Sequence, residues 1–284
     1  MEILNDLTKC NFYYYILGGN KAYLIFKYLQ LIKNNVCIGD AFIRKQKIRM
    51  DNNGQRIVRF LNNDLIPQYN VLKQLKSNQI INLNEKLVYF SQLGYLLVVQ
   101  YLVSKGANIH AADDWALQMA AGEGHLQVVQ YLLQPYGLNN FLNRKYGANI
   151  HANNDQALVL VTKLGYLNIV QYLVSKGANI HADNDWVLGY AAENGHLAIV
   201  QYLFSIGANI HASNDQVLRL AAGQGHLPVV KYLISIGVNI HAQNDQVLRL
   251  AASYGHLDVV QYLVSKGADS NVLTAKQKLK YNIN

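Results

Sequence analysis

The sequence predicts an all-α solenoid, a stack of helix–turn–helix units joined by short turns, and three observations carry that expectation. Glycines recur at a fixed spacing: Gly147, Gly177, Gly207, Gly237 and Gly267 stand 30 residues apart, and Gly165, Gly195, Gly225 and Gly255 form a second series with the same step. A period of roughly 20–50 residues marks a repeat array. Each period also holds two apolar runs at helical spacing. In 212–241 these are Val217, Leu218, Leu220 and Ala221, followed by Leu227, Val229, Val230, Leu233 and Ile234. Finally, the glycines follow these runs, where a chain leaving a helix turns through a left-handed conformation that glycine tolerates best.

Taken in order, residues 1–80 read as a degenerate helical N-terminal capping region. "NKAYLIFKYLQLIKNN" (20–35) and "NVLKQLKSN" (70–78) resemble second helices without their turns, and a terminal unit has to cover an apolar face. Residues 81–271 divide into six units, at about 81–110, 111–151, 152–181, 182–211, 212–241 and 242–271. Asp114, Asp155, Asp185, Asp215 and Asp245 each stand ahead of a first apolar run. A carboxylate there can accept from the free first-turn amides, and its charge suits the positive helix end. The second unit carries an insertion at about 134–146: Tyr131 lies 16 residues before Gly147, where Tyr172 lies 5 before Gly177, so 11 residues are extra. Pro135 ends the helix there, and a protruding loop or short helix leaves the neighbouring units stacked. Residues 272–284 read as a C-terminal capping helix or tail, with "TAKQKLK" (274–280) as its short basic helix.

The unit "VLRLAAGQGHLPVVKYLISIGVNIHA" resembles the ankyrin repeat, whose pattern runs from T-P-L-H through a small-residue pair, G-H and an apolar second helix to G-A-D-x-N. The resemblance covers roughly two thirds of the chain and implies an ankyrin-repeat solenoid with short turn or hairpin fingers. Two departures stand out. The period is 30 rather than about 33, with the missing residues in the turn before the first helix. T-P-L-H is replaced by "WALQ", "QALV", "WVLG" and twice "QVLR", so that motif's usual Thr–His bond has no residues to form it. The short "NIHA(x)ND" turn is similar to the ankyrin arrays encoded by giant amoeba-infecting, mimivirus-like viruses.

Composition narrows the function. With 51% hydrophobic and 15% charged residues the chain can bury a core. No apolar run approaches the ~20 residues that cross a bilayer, and the start "MEILNDLTKC" is acidic where a secretory signal is basic. Cys10 and Cys37 are too few for a disulfide framework or a zinc ligand set. The expectation is an intracellular, cytoplasmic or host-cytoplasmic protein. The formal charge of +8 is uneven: residues 1–80 hold 12 Lys and Arg against 5 Asp and Glu, and residues 81–284 hold 13 against 12. The excess centres on "FIRKQKIRMDNNGQRIVRF" (42–60), which reads as a solvated face ahead of a nucleic-acid patch.

All nine histidines sit in the repeats. His110, His151, His181, His211 and His241 lie in the turns, and His125, His196, His226 and His256 begin second helices. Packed helices lie ~8–10 Å apart, whereas zinc needs each nitrogen at about 2.0–2.1 Å, so a ladder of equivalent histidines cannot close on one ion. These histidines read as hydrogen-bond partners of turn backbone, as do Asn149, Asn179, Asn209 and Asn239. "GEGH" (122) and "GQGH" (223) lack a third glycine and a preceding strand, so they read as helix ends rather than phosphate cradles. The series Tyr101, Tyr131, Tyr172, Tyr202, Tyr232 and Tyr262 reads as packing. No catalytic set stands out from the repeating background, so the reading is a non-enzyme with no cofactor and no metal.

What remains is a binding scaffold. Framework positions recur from unit to unit, while others change and are free to specialise. The bulky or charged residues at changing positions are Trp115, Trp186, Arg219, Arg249 and Tyr254, and these are the candidate protein-binding contacts; tryptophan is enriched at interface hot spots. The ankyrin resemblance implies a protein ligand on the concave surface: an unidentified protein, of a host cell if the viral likeness holds, bound by a monomer that engages neither nucleic acid nor membrane. Two alternatives stand beside this reading. One is a nucleic-acid-associated protein using the basic N-terminal region; the other is a structural or remnant array with no dedicated ligand.

Overall fold

The computed structural model describes residues 82–134 and 147–283, apart from the side chains of 212–214, together with four single positions between 68 and 75. The chain divides into two units, Met1–Ser77 and Asn78–Asn284, and the array belongs to the second. The N-terminal capping region, the basic segment 42–60 and the insertion from 135 to 146 lie outside the described residues.

The array is built from six helix pairs: α1 (Leu83–Gln92) with α2 (Leu96–Ser104), α3 (Ala111–Gly122) with α4 (Leu126–Leu133), α5 (Ala152–Leu164) with α6 (Leu167–Ser175), α7 (Ala182–Glu193) with α8 (Leu197–Ser205), α9 (Ala212–Gly223) with α10 (Leu227–Ser235), and α11 (Ala242–Tyr254) with α12 (Leu257–Ser265). A 3₁₀ turn (Ser270–Val272) and α13 (Ala275–Tyr281) follow. No strand occurs among the described residues, so the all-α repeat reading holds and the fingers are turns rather than β-hairpins. The core is the same in each pair: Val98, Val99 and Leu102 of α2 find their counterparts in Val128, Val129 and Leu132, and so on to Val259, Val260 and Leu263, all buried. Small pairs such as Ala120–Ala121, Ala191–Ala192, Ala221–Ala222 and Ala251–Ala252 are fully or almost fully buried and let the helices approach closely. First helices of neighbouring pairs pack together more closely than second helices do, so the array curves with α1, α3, α5, α7, α9 and α11 on its inner side.

The turn ahead of each first helix explains the "ND" of the repeat. Asn153, Asn154 and Asp155 all have positive φ (50°, 57°, 57°), as do Asp183, Asn184 and Asp185, Gln243, Asn244 and Asp245, and Ala112, Asp113 and Asp114. A left-handed residue costs about 1–2 kcal/mol unless it is Gly or, to a lesser extent, Asn or Asp. The sequence places Asn or Asp at the last two positions of every such run, while the first is Ala112, Asn153, Asp183 or Gln243.

The aspartates work differently from the cap expected of them. Their carboxylates do not accept from first-turn amides; the Asp155 Oδ1 accepts the Asn179 N–H (2.8 Å), Asp114 Oδ1 the Asn149 N–H (2.9 Å) and Asp245 Oδ1 the Asp269 N–H (3.1 Å). Asn84 does the same for the Asn108 N–H at 2.7 Å. Each bond ties the start of one first helix to the turn leading into the next, because the left-handed run swings the side chain away from its own helix. The separation is 24 residues in three cases and 35 for Asn149, the difference being the 11 inserted residues. At the same place the Ala148 N–H meets the Leu132 carbonyl at 2.8 Å, matching Ala178 on Leu173 and Ala208 on Leu203. That bond is kept, but Gly147 lacks the left-handed φ expected of it and seen at Gly177, Gly207, Gly237 and Gly267, and a Cβ there would lie 2.6 Å from the Leu133 carbonyl oxygen.

Candidate interaction surface

The five candidate contacts all fall on first helices, spread over α3, α7, α9 and α11. Trp115 and Trp186 begin the regular part of their helices directly after the left-handed turn, Arg219 and Arg249 lie about one turn further on, and Tyr254 closes α11. Tyr254 is 68% exposed and Trp115 42%, Arg249 is exposed, and Trp186 and Arg219 are half-buried. Arg249 also serves its own repeat, since its Nη2 donates to the Gln243 carbonyl at 3.1 Å. Gln118, at the equivalent position, donates to the carbonyl one place further on, that of Asp113, at 2.7 Å. Burial pushes the Arg219 guanidinium below its usual range, with Asp215 pulling the other way.

Trp186 belongs to a cluster that the repeat pattern conceals. Its ring lies 5.6 Å from that of Tyr190. The Tyr190 hydroxyl donates to Asp183 Oδ2 at 2.5 Å, and Lys163 Nζ of α5 stands 3.7 Å from the Tyr190 ring centre. The hydrogen bond to Asp183, then burial and the negative charges of Asp183 and Glu193, push the Tyr190 phenol up to about 12. Beside it Gly189 opens a shallow recess toward α9, floored by Val217 and Leu220 and rimmed by Asn184, Asp185 and Gln216. Sequence reasoning missed this. The available signal was a glycine where the sister units carry Gln118, Val159, Arg219 and Arg249, and a tyrosine where they carry Met119, Leu160, Leu220 and Leu250.

The histidines divide into two structural classes. In the turns, Nδ1 of His110, His151, His211 and His241 lies 2.9, 3.1, 2.6 and 3.0 Å from the aspartate four residues on, and His181 pairs with Asp185 in the same way. The partner is thus a side chain rather than the backbone group expected. The neighbouring asparagines accept the histidine N–H, as Asn179 Oδ1 does from His181 at 3.0 Å. The second class does bond backbone: Nε2 of His125, His196, His226 and His256 donates to the carbonyls of Gln92, Lys163, Glu193 and Gly223 at 2.8–2.9 Å. Those carbonyls end the preceding first helix and have no partner within it. Among the described residues no three His, Cys, Asp or Glu side chains converge as a metal site.

The second-helix tyrosines are half-buried, and lysines lie over Tyr101, Tyr172 and Tyr262 at 5.5–5.6 Å. Burial pushes the Tyr172 phenol up.

A family model described as ankyrin repeats (3 copies) matches residues 87–184, 138–214 and 188–274, which together span 87–274, or 188 of the 284 residues. The chain belongs to the ankyrin-repeat family. Ankyrin repeats are generally protein–protein interaction modules, and family members are typically binding scaffolds rather than enzymes. No curated protein matches this ankyrin array. Among its described residues no helix is long and apolar enough to cross a membrane.

Proposed function

We propose that this ankyrin-repeat chain is a non-enzymatic scaffold that binds a protein partner along the inner face of its first helices, with Trp115, Trp186, Arg219, Arg249 and Tyr254 as contacts. One observation supports it most. The bonds that build the array, and the aspartates that make them, repeat from unit to unit, whereas Trp115, Trp186, Arg219, Arg249 and Tyr254 stand at first-helix positions where the units differ. A solenoid offers such a face as one continuous surface. The array acts as a monomer inside a cell, and the viral likeness of the turn makes a host-cell protein the partner to seek. α13 acts as its C-terminal cap.

The test is a pull-down with the full chain from cell extract, comparing wild type with Arg219→Ala/Arg249→Ala. The double variant recovers less of the specific partner while keeping its helical circular dichroism. Equal recovery removes the arginines from the binding face. No reproducible partner favours an array without a dedicated ligand. The basic excess of residues 1–80 favours one second reading, nucleic-acid association, and salt separates the two: binding to phosphates weakens steeply as ionic strength rises.

A further inference from the structure

The strongest departure from the repeat on the inner face is Gly189. Glycine is a poor residue inside a helix, and the sister units place Gln118, Val159, Arg219 and Arg249 at its position. A Cβ at Gly189 would meet only Leu220 Cδ1 at 3.2 Å and Trp186 Cε3 at 3.6 Å. The missing side chain therefore leaves one face of the Trp186 indole beside an apolar floor, Val217 and Leu220, with a polar rim. The recess is open on one side, and a single atom at the Cβ position of Gly189 already fills the gap between Leu220 and Trp186, a thickness that suits a flat group and excludes a bulky one.

The charges select the ligand. On the helices around the recess the carboxylates Asp183, Asp185, Glu193 and Asp215 outnumber the cations Lys163 and Arg219. Asp185 uses Oδ1 for His181, which leaves Oδ2 to accept from a donor. The adjoining aromatic already attracts a cation, because Lys163 Nζ sits 3.7 Å from the Tyr190 ring centre in cation–π range. We propose that the recess between α7 and α9 receives the guanidinium of an arginine on the partner segment. The guanidinium is planar and stacks on aromatic rings, and its fixed fork of N–H groups matches a carboxylate. It lies on Trp186 in the space left by Gly189 and donates to Asp185 and to the Gln216 side chain. An ammonium is compact and strongly hydrated, and fills a flat slot less well.

This deepens the scaffold reading by naming what Trp186 recognises, and it rests on that reading. The experiment uses the full chain and N-acetyl-arginine amide as probe, followed through the two tryptophan indole signals in NMR. Trp186 shifts saturably, Trp115 does not, and N-acetyl-lysine amide binds at least about fivefold more weakly. Gly189→Val fills the slot with the residue a sister unit carries, and Asp185→Asn removes the charge while keeping an acceptor for His181; each weakens binding by about tenfold. An absent saturable shift at Trp186, equal shifts at both tryptophans, or unchanged binding in both variants overturns the proposal. Should Gly189→Val lose its helical circular dichroism, Asp185→Asn carries the test alone. A partner that binds Gly189→Val as tightly as wild type sinks the arginine site and leaves the scaffold. Arginine binding without any recoverable partner does the reverse.

Discussion

At the scale of single residues, each motif of the turn has one physical job. The Asp155 carboxylate is 4% exposed and satisfies both the His151 ring and the Asn179 amide. Asp155→Ala leaves that amide without its acceptor, and urea unfolding should show a loss of about 2–3 kcal/mol. His151, more than half exposed, should cost about 1 kcal/mol or less as alanine. Tyr190 is the second residue with a measurable signature. Its phenol is raised from 10.0 to about 12, chiefly by its bond to Asp183, so folding favours the neutral form. That contribution is intact below pH 10 and disappears as pH rises through about 12. Ultraviolet titration of phenolate absorbance should show one tyrosine ionising late, and Asp183→Asn should bring it back toward the ordinary value. A late ionisation that survives Asp183→Asn would assign the shift to something other than this bond.

Among elements, the helix pair was legible from two glycine series and two apolar runs, while the bonds joining pairs were not. The first series ends second helices: Gly237 has φ +94° and nothing near a hypothetical Cβ. The second ends first helices, and all but Gly255 sit under a ring: a Cβ at Gly225, φ +78°, would lie 2.4 Å from His256 Nδ1. Sequence treats the two alike, since both need a left-handed residue. The structure separates them, because Gly165, Gly195 and Gly225 are covered by a histidine from the next unit, while Gly255 in the last unit meets only Lys280 Nζ at 3.7 Å. Gly237→Ala should cost about 1 kcal/mol, the conformational penalty alone. Gly225→Ala should cost about 2 kcal/mol or more, since it also displaces His256 from the Gly223 carbonyl. Equal losses in denaturant unfolding would show that the ring contact contributes nothing.

For the whole array, stability is a sum of nearest-neighbour terms, so its ends matter most. α13 begins with a capping box in which the Thr274 side chain accepts from the Gln277 N–H. It closes with Tyr281, which is 1% exposed and donates to the Ala252 carbonyl at 2.6 Å. That bond takes the carbonyl one residue before the position that the histidine bonds use in earlier units. Tyr281→Ala should therefore fray the last unit first. Hydrogen exchange should speed up at Val259, Val260 and Leu263 of α12 while Val128 and Val129 of α4 keep their protection, a gradient expected when coupling is local. Uniform loss of protection across the array would contradict nearest-neighbour stability.

The sequence by itself determined the period, the all-α class, the helix pairs and the family, because helical periodicity and turn glycines are local properties that each residue expresses with its immediate neighbours. It also showed where the second unit holds 11 extra residues. Only the tertiary structure decided what the polar residues do. Asp155 and Asn179 are 24 residues apart, His256 and Gly223 are 33 apart, and nothing in the composition of either segment says which partner it meets. The left-handed Asn–Asp run redirects the carboxylate from its own helix to the next turn, and no one-dimensional pattern records that change of direction. The same holds for the recess at Gly189. A missing side chain becomes a feature only when Trp186 and Leu220, from two successive units, are brought to its edges by stacking.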